Sequence, residues 1–120
     1  MKITNHDKIK VKINKKTFLV KNCRGAKSIK GLMFDSMQDK DGALIYANNI
    51  WMPFVKQKLD LLFLDKDLNV LKQERAVPLT FNPKTWKVYR CDDAKYCLEL
   101  KAGIVNRKIT KIFINTPPSQ

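Results

Sequence analysis

The chain is poor in the groups that build metal centres and nucleophile sites, with one histidine and three cysteines in 120 residues. The histidine, His6, stands alone near the N-terminus. Cys91 and Cys97 have five residues between them, which is not the CxxC spacing of a zinc or redox site. A Ser-His or Cys-His pair would have to use His6, so the sequence offers little for nucleophilic catalysis. The odd cysteine count and the lack of a secretory signal read as free thiols in a reducing compartment, with Cys23, Cys91 and Cys97 serving as small buried hydrophobes. Glycine is scarce too. None falls in a GxGxxG or Walker-type context, so nothing points to a nucleotide phosphate. No apolar run approaches the roughly 20 residues that span a bilayer. The longest, Leu59 to Leu64, is broken by Asp60. The first residues, Met-Lys-Ile-Thr-Asn-His-Asp, lack the apolar stretch of a secretory signal. These absences lead us to expect a cytoplasmic protein with no membrane partner, no metal and no cofactor.

Acidic residues are missing chiefly from the ends. Residues 1–30 carry ten Lys/Arg and one acidic residue, Asp7, and residues 101–120 carry four basic residues and no acidic one. The stretch between them is balanced. The whole chain has a formal charge of +13. Such ends attract phosphate backbones or acidic surfaces, and they serve equally as a solubilising lysine face. The length and the ordinary hydrophobic fraction of 44% fit one domain with its own core, spanning 1–120.

Lys8-Ile9-Lys10-Val11-Lys12-Ile13 alternates strictly, which predicts a strand with lysines on one face and Ile9, Val11 and Ile13 on the other. Asn14-Lys15-Lys16 reads as a turn, and Thr17 to Asn22 as the returning strand. Lysine on an exposed edge also discourages aggregation, so the row has a purely structural use. Ala26 to Met37 is the best helix candidate, with Ile29, Leu32 and Met33 at helical spacing and Gly31 weakening it. Asp39 to Gly42 signals a turn, and Ala43 to Tyr46 a strand. Ile50-Trp51-Met52 starts a short strand ended by Pro53. Leu59 to Asp65, apolar at nearly every position, reads as the central strand with both faces covered. Val70 to Val77, Trp86 to Arg90, Tyr96 to Leu100 and Lys111 to Asn115 read as further strands, and Ile104 to Ile109 as a short helix. Thr116 to Gln120 reads as a flexible tail. Many short strands with turns every eight to twelve residues predict a mostly β domain. The expected form is a compact antiparallel β-barrel or sandwich with one or two short helices.

Five segments occur in a telling order: Gly31-Leu32-Met33-Phe34, Gly42-Ala43-Leu44-Ile45, Trp51-Met52, Leu59-Asp60-Leu61-Leu62-Phe63-Leu64-Asp65, and Leu98-Glu99-Leu100-Lys101-Ala102-Gly103. Together they resemble the family called domain of unknown function 192, over about residues 28–115. The resemblance implies a compact β-rich domain with a short helix near Gly-Leu-Met, and it implies no activity. Many members carry arginines where Ser28 and Asp35 stand here, and an Asn-Thr pair where Phe54-Val55 stands. A site built on those polar residues would be altered in this chain.

Asp60 is the most informative single residue, because a carboxylate in an apolar strand is costly unless bonded or paired. It reads as a general base or ligand-binding carboxylate, or as a structural acceptor of backbone N–H groups. Glu99 alternates away from Leu98 and Leu100 and is expected on an exposed face. The two would form an acid–base pair if they converged in one cleft. Trp51 and Met52, with Asp60, are candidates for a ligand pocket, and read equally as core. Lys8, Lys10, Lys12, Lys15 and Lys16 are the candidates for nucleic-acid contact. Single-strand readers add exposed aromatics to such a surface, and the basic N-terminal segment holds only Phe18. The leading expectation is a non-catalytic binding or scaffold domain of unknown ligand. Non-specific nucleic-acid binding and catalysis by Asp60 with Glu99 are the alternatives.

Overall fold

The structure, a computed structural model, describes residues 7–23, 41–51, 57–78, 80–85, 88–105 and 107–114, with Asp7, Lys8, Cys23 and Trp51 described by backbone alone. Among the described residues nine strands occur in chain order: β1 (Asp7–Ile13), β2 (Lys16–Cys23), β3 (Gly42–Ile45), β4 (Asn49–Trp51), β5 (Leu59–Leu64), β6 (Val70–Ala76), β7 (Val88–Arg90), β8 (Tyr96–Lys101) and β9 (Phe113–Ile114). A 3-10 turn covers Pro83–Thr85. The helix expected over Ala26 to Met37 lies outside the described residues.

Seven strands form one curled, half-barrel sheet in the order β6-β5-β8-β3-β2-β1-β9, and β4 pairs with β7 in a separate ribbon. The hairpin β1–β2 turns at Asn14-Lys15, with Ile13 paired to Lys16. Asn14 takes φ 56°, a left-handed conformation that asparagine tolerates better than most residues. All main-sheet pairs are antiparallel except β2 with β3, which run parallel. A parallel pair needs a long crossover, and residues 24–41 supply the length.

Strand alternation sorts the core into two layers. On the inner face, Ile9, Val11, Ile13, Phe18, Val20, Leu44, Leu62, Leu64, Leu98 and Leu100 form one buried cluster with Val105, Ile109 and Ile112. A single cluster can join β1 to β5 only because the sheet curls around it. On the outer face, Ala43, Ile45, Leu59, Leu61, Phe63, Ala76 and Cys97 pack with Ile50 and Tyr89 of the ribbon. β5 is thus buried on both faces, as its apolar run predicts. It is not the central strand, however. It lies second from the β6 edge, and its outer face is covered by the ribbon.

The chain after β8 closes the curl. Val70 N–H donates to Thr110 O (2.8 Å), Ile112 N–H donates to Leu68 O (3.1 Å), and at the next residue β9 begins its pairing with β1. One segment therefore touches both edges of the sheet. The helix expected over Ile104 to Ile109 is not there: the described residues of that stretch are irregular. Gln73 explains why. Ile109 N–H donates to its Oε1 (2.9 Å), and its Nε2 donates to Arg107 O (3.0 Å). The side-chain amide thus takes up the Ile109 N–H, which a helix over this stretch would have paired with the Val105 carbonyl, and also binds the Arg107 carbonyl.

Candidate functional site

Asp60 is the second residue of β5 and points into the inner face, 5% exposed. Both of its oxygens are engaged. Arg75, its cross-strand partner on β6, places Nε 2.6 Å from Oδ1, and Gly103 N–H donates to Oδ2 at 3.2 Å. Gly103 takes φ 94°, a conformation nearly confined to glycine, in the turn that leaves β8. Asp60 therefore fastens that turn to the sheet.

Glu99 is not on an exposed face. It is 3% exposed, because β8 lies between β5 and β3 with both of its faces covered. Its register partner on β5 is Leu61, the residue after Asp60. Alternation sends the two carboxylates to opposite faces of the sheet, so the structure does not bring Asp60 and Glu99 together. Burial pushes the Glu99 carboxyl up to about 8, opposed by the charge of Lys21. Lys21 belongs to the same cross-strand row, separated from Glu99 by the small side chain of Ala43, and is itself buried. Glu99 Oε1 has no hydrogen-bond partner among the described residues.

Of the expected pocket trio, only Asp60 has a described side chain. β4, which carries Trp51, packs on the outer face through Ile50, whereas Asp60 faces inward. Met52 lies outside the described residues. Among the cysteines, Cys97 is buried and its thiol is pushed well up by loss of solvent, while Cys91 is half-buried. Among the described residues no group of three or more His, Cys, Asp or Glu side chains could hold a metal.

The lysines divide between two surfaces. Lys10 and Lys12 are exposed on the outer face of β1. Lys15 and Lys16, at the hairpin end, border a cavity of about 500 Å³ between the hairpin and the segment after β8. Its walls are Ile13, Phe18, Ile104, Val105 and Ile109, and Asn14, Lys15, Lys16 and Arg107 complete the lining. Among the described lining residues the wall is apolar, the charged side chains are cationic, and no carboxylate is present. At the other end of β2 the inner face is occupied instead. There Tyr46 OH donates to Asn22 Oδ1 (2.8 Å), and the Tyr46 and Tyr96 rings meet edge-on at 5.2 Å. Sequence reading did not single out Arg107, Val105 or Ile109. The basic C-terminal charge and the apolar spacing of Ile104 to Ile109 were the available signals, and that spacing reads as a helix rather than as a cavity wall.

A family profile for domain of unknown function 192, described as Uncharacterized ACR, matches residues 9–112. The chain belongs to this family. The profile covers six of the seven main-sheet strands at least in part and ends one residue before β9, so the DUF192 likeness is a likeness of nearly the whole fold. No relative was found among curated proteins. Two solved structures are similar to this DUF192 chain. One, from Sinorhizobium meliloti and named a "putative transcription regulator", has a TM-score of 0.71 at 20% identity, covering 94% of this chain and 98% of its own. The other, a protein of unknown function from Novosphingobium aromaticivorans, has a TM-score of 0.65 at 19% identity, covering 88% and 83%. No helix among the described residues is long and apolar enough to cross a membrane.

Proposed function

We propose that this DUF192 protein is a small, non-catalytic, cytoplasmic binding domain, and that its ligand is a small anion with an apolar body. The observation that carries the reading is the cavity at the hairpin end. Its volume of about 500 Å³ suits a small molecule. Isoleucine, valine and phenylalanine walls reward an apolar body, while Lys15, Lys16 and Arg107 reward a phosphate, sulfate or carboxylate head. The carboxylates support a non-catalytic reading: Asp60 is committed to Arg75 and Gly103, and Glu99 lies on the opposite face.

Calorimetric titration with octyl phosphate, octanol and inorganic phosphate tests this. Octyl phosphate is expected to bind with one-to-one stoichiometry, more tightly than either control. Val105→Trp should fill the cavity and abolish binding, and the Lys15→Glu/Lys16→Glu double variant should weaken octyl phosphate far more than octanol. Failure of octyl phosphate to saturate, or indifference to Val105→Trp, overturns the reading.

A second reading is non-specific contact with a nucleic-acid backbone through the hairpin. It is favoured by the exposure of Lys10, Lys12, Lys15 and Lys16. At 20% identity the Sinorhizobium likeness carries the fold alone, so this reading rests on the lysines. True phosphate contact weakens steeply with salt; absence of binding at low salt removes it.

A further inference from the structure

The basic N-terminal segment has no exposed aromatic of its own, since Phe18 is buried in the inner cluster. The fold supplies one from the far end of the chain. β9 lies along β1 in the register Lys12↔Phe113 and Val11↔Ile114. Directly paired residues of an antiparallel ladder share a face, with Cβ atoms roughly 5 Å apart. Phe113 therefore stands beside Lys12 on the outer face, with Lys10 two residues along. Phe113 is 56% exposed, and both lysines are exposed. Its neighbours in the chain explain its direction: Ile112 is fully buried and Ile114 packs against the inner cluster, so the residue between them must turn outward. Alternation requires an outward side chain there. It does not require a phenylalanine, because a polar residue would meet the same geometry without exposing an apolar ring to water.

On the other side of Lys12 its partner is Thr17, also exposed, so the surface reaches the start of β2; farther along that face Leu19 is half-buried and Lys21 buried. Asp41 is an acidic residue close to this surface in the ladder, its Oδ2 accepting the N–H of Leu19, the partner of Lys10, at 2.9 Å; Lys10, Lys12 and the neighbouring Lys16 outnumber it. An exposed ring in line with cations on an open sheet face is the arrangement that takes unpaired bases and their phosphates. The ring stacks on a base of any identity, and the ammonium groups take the flanking charge. A duplex keeps its base faces covered and offers only phosphates to such a surface.

We propose that the outer face of β2, β1 and β9 binds single-stranded nucleic acid without sequence preference, with Phe113 stacking on one base and Lys10 and Lys12 contacting the adjoining phosphates. The proposal rests on the second reading above, phosphate contact by the hairpin lysines, and adds both the strand type and the stacking residue.

Fluorescence anisotropy with a labelled oligothymidylate and a duplex of equal length, at about 50 and 200 mM salt, tests it. The single strand is expected to bind more tightly than the duplex. Phe113→Ala should weaken the single strand by about tenfold or more and leave the duplex unchanged, and Phe113→Trp should retain the single-strand affinity. Lys10→Glu/Lys12→Glu should weaken both ligands and flatten the salt dependence. Circular dichroism of each variant separates lost contact from lost fold. Equal affinity for both ligands, with Phe113→Ala silent and the lysine variant weak for both, overturns the stacking proposal and leaves phosphate contact standing. No binding at low salt overturns both. If Phe113 instead seats a second copy, the chain sediments as a dimer that Phe113→Ala dissociates with oligonucleotide affinity unchanged, which also overturns the proposal.

Discussion

Gln73 of β6 holds Ile109 in place: the Ile109 N–H donates to Gln73 Oε1 at 2.9 Å, while the same amide donates to Arg107 O. These bonds span an interval where the half-barrel has no strand pairing. They fix the segment that brings Val105, Arg107 and Ile109 to the cavity and then delivers Phe113 to β1.

Removing that clamp should loosen the closure more than the sheet. Gln73→Ala is expected to cost about 1–2 kcal/mol of stability, the scale of lost hydrogen bonds to partly buried backbone. Amide exchange at Ile109 should accelerate ahead of exchange in β5 and β8. Unchanged protection at Ile109 would show that the segment is held by its apolar contacts alone.

The Asp60–Arg75 pair predicts an asymmetric mutant series. Asp60 is buried and Arg75 is about half exposed. Arg75→Ala leaves a buried carboxylate with only the Gly103 N–H, and should cost about 1–3 kcal/mol. Asp60→Ala removes the burden along with the bonds, strands only an exposed guanidinium and frees Gly103 N–H. The double variant should be less destabilised than the sum of the two singles. Additive losses in denaturant unfolding would mean that the two residues act independently.

Glu99 makes stability depend on pH. Its carboxyl is raised from 4.5 to about 8 by burial, so the folded chain keeps a proton that the unfolded chain releases. The contribution of this group is fully present below pH 4.5 and is lost as pH rises toward 8. Glu99→Gln keeps the shape and removes the titration. Its melting temperature should exceed that of the parent at pH 8, and the difference should shrink at pH 5. A difference that is constant across this range would refute a protonated Glu99.

Gly42 begins β3 opposite Leu100. A methyl group there would overlap the Glu99 carbonyl oxygen, which is backbone in a central strand. Gly42→Ala should therefore cost several kcal/mol, well beyond the usual surface substitution. A soluble Gly42→Ala variant with parental thermal stability would show that β3 and β8 can separate without harm.

The strands were legible where side chains alternate or are uniformly apolar. The Lys-Ile-Lys-Val-Lys-Ile run gives β1, and Leu59 to Leu64 gives β5 with both faces covered. The Ile104 to Ile109 stretch misled because its apolar spacing reflects inward packing of an irregular segment, and two of its backbone groups, Ile109 N–H and Arg107 O, are bonded by Gln73, thirty-six residues from Ile109 in sequence. Glu99 misled because alternation reports which face a residue takes, and says nothing about whether that face is covered. Here the β4–β7 ribbon packs on that face.

Asp60 was recognisable from sequence as a polar residue needing a partner, since a carboxylate in an apolar strand must be satisfied. Which groups satisfy it depends on the β5–β6 register and the turn at Gly103. By itself the sequence determined the β class, the apolar core strands, and the placement of excess positive charge at the two ends. Those follow from short-range period and composition. The tertiary structure alone decided that the basic hairpin borders a cavity and that its lysine row acquires an aromatic from β9. Both depend on long-range register, where a shift of one residue would turn Phe113 inward.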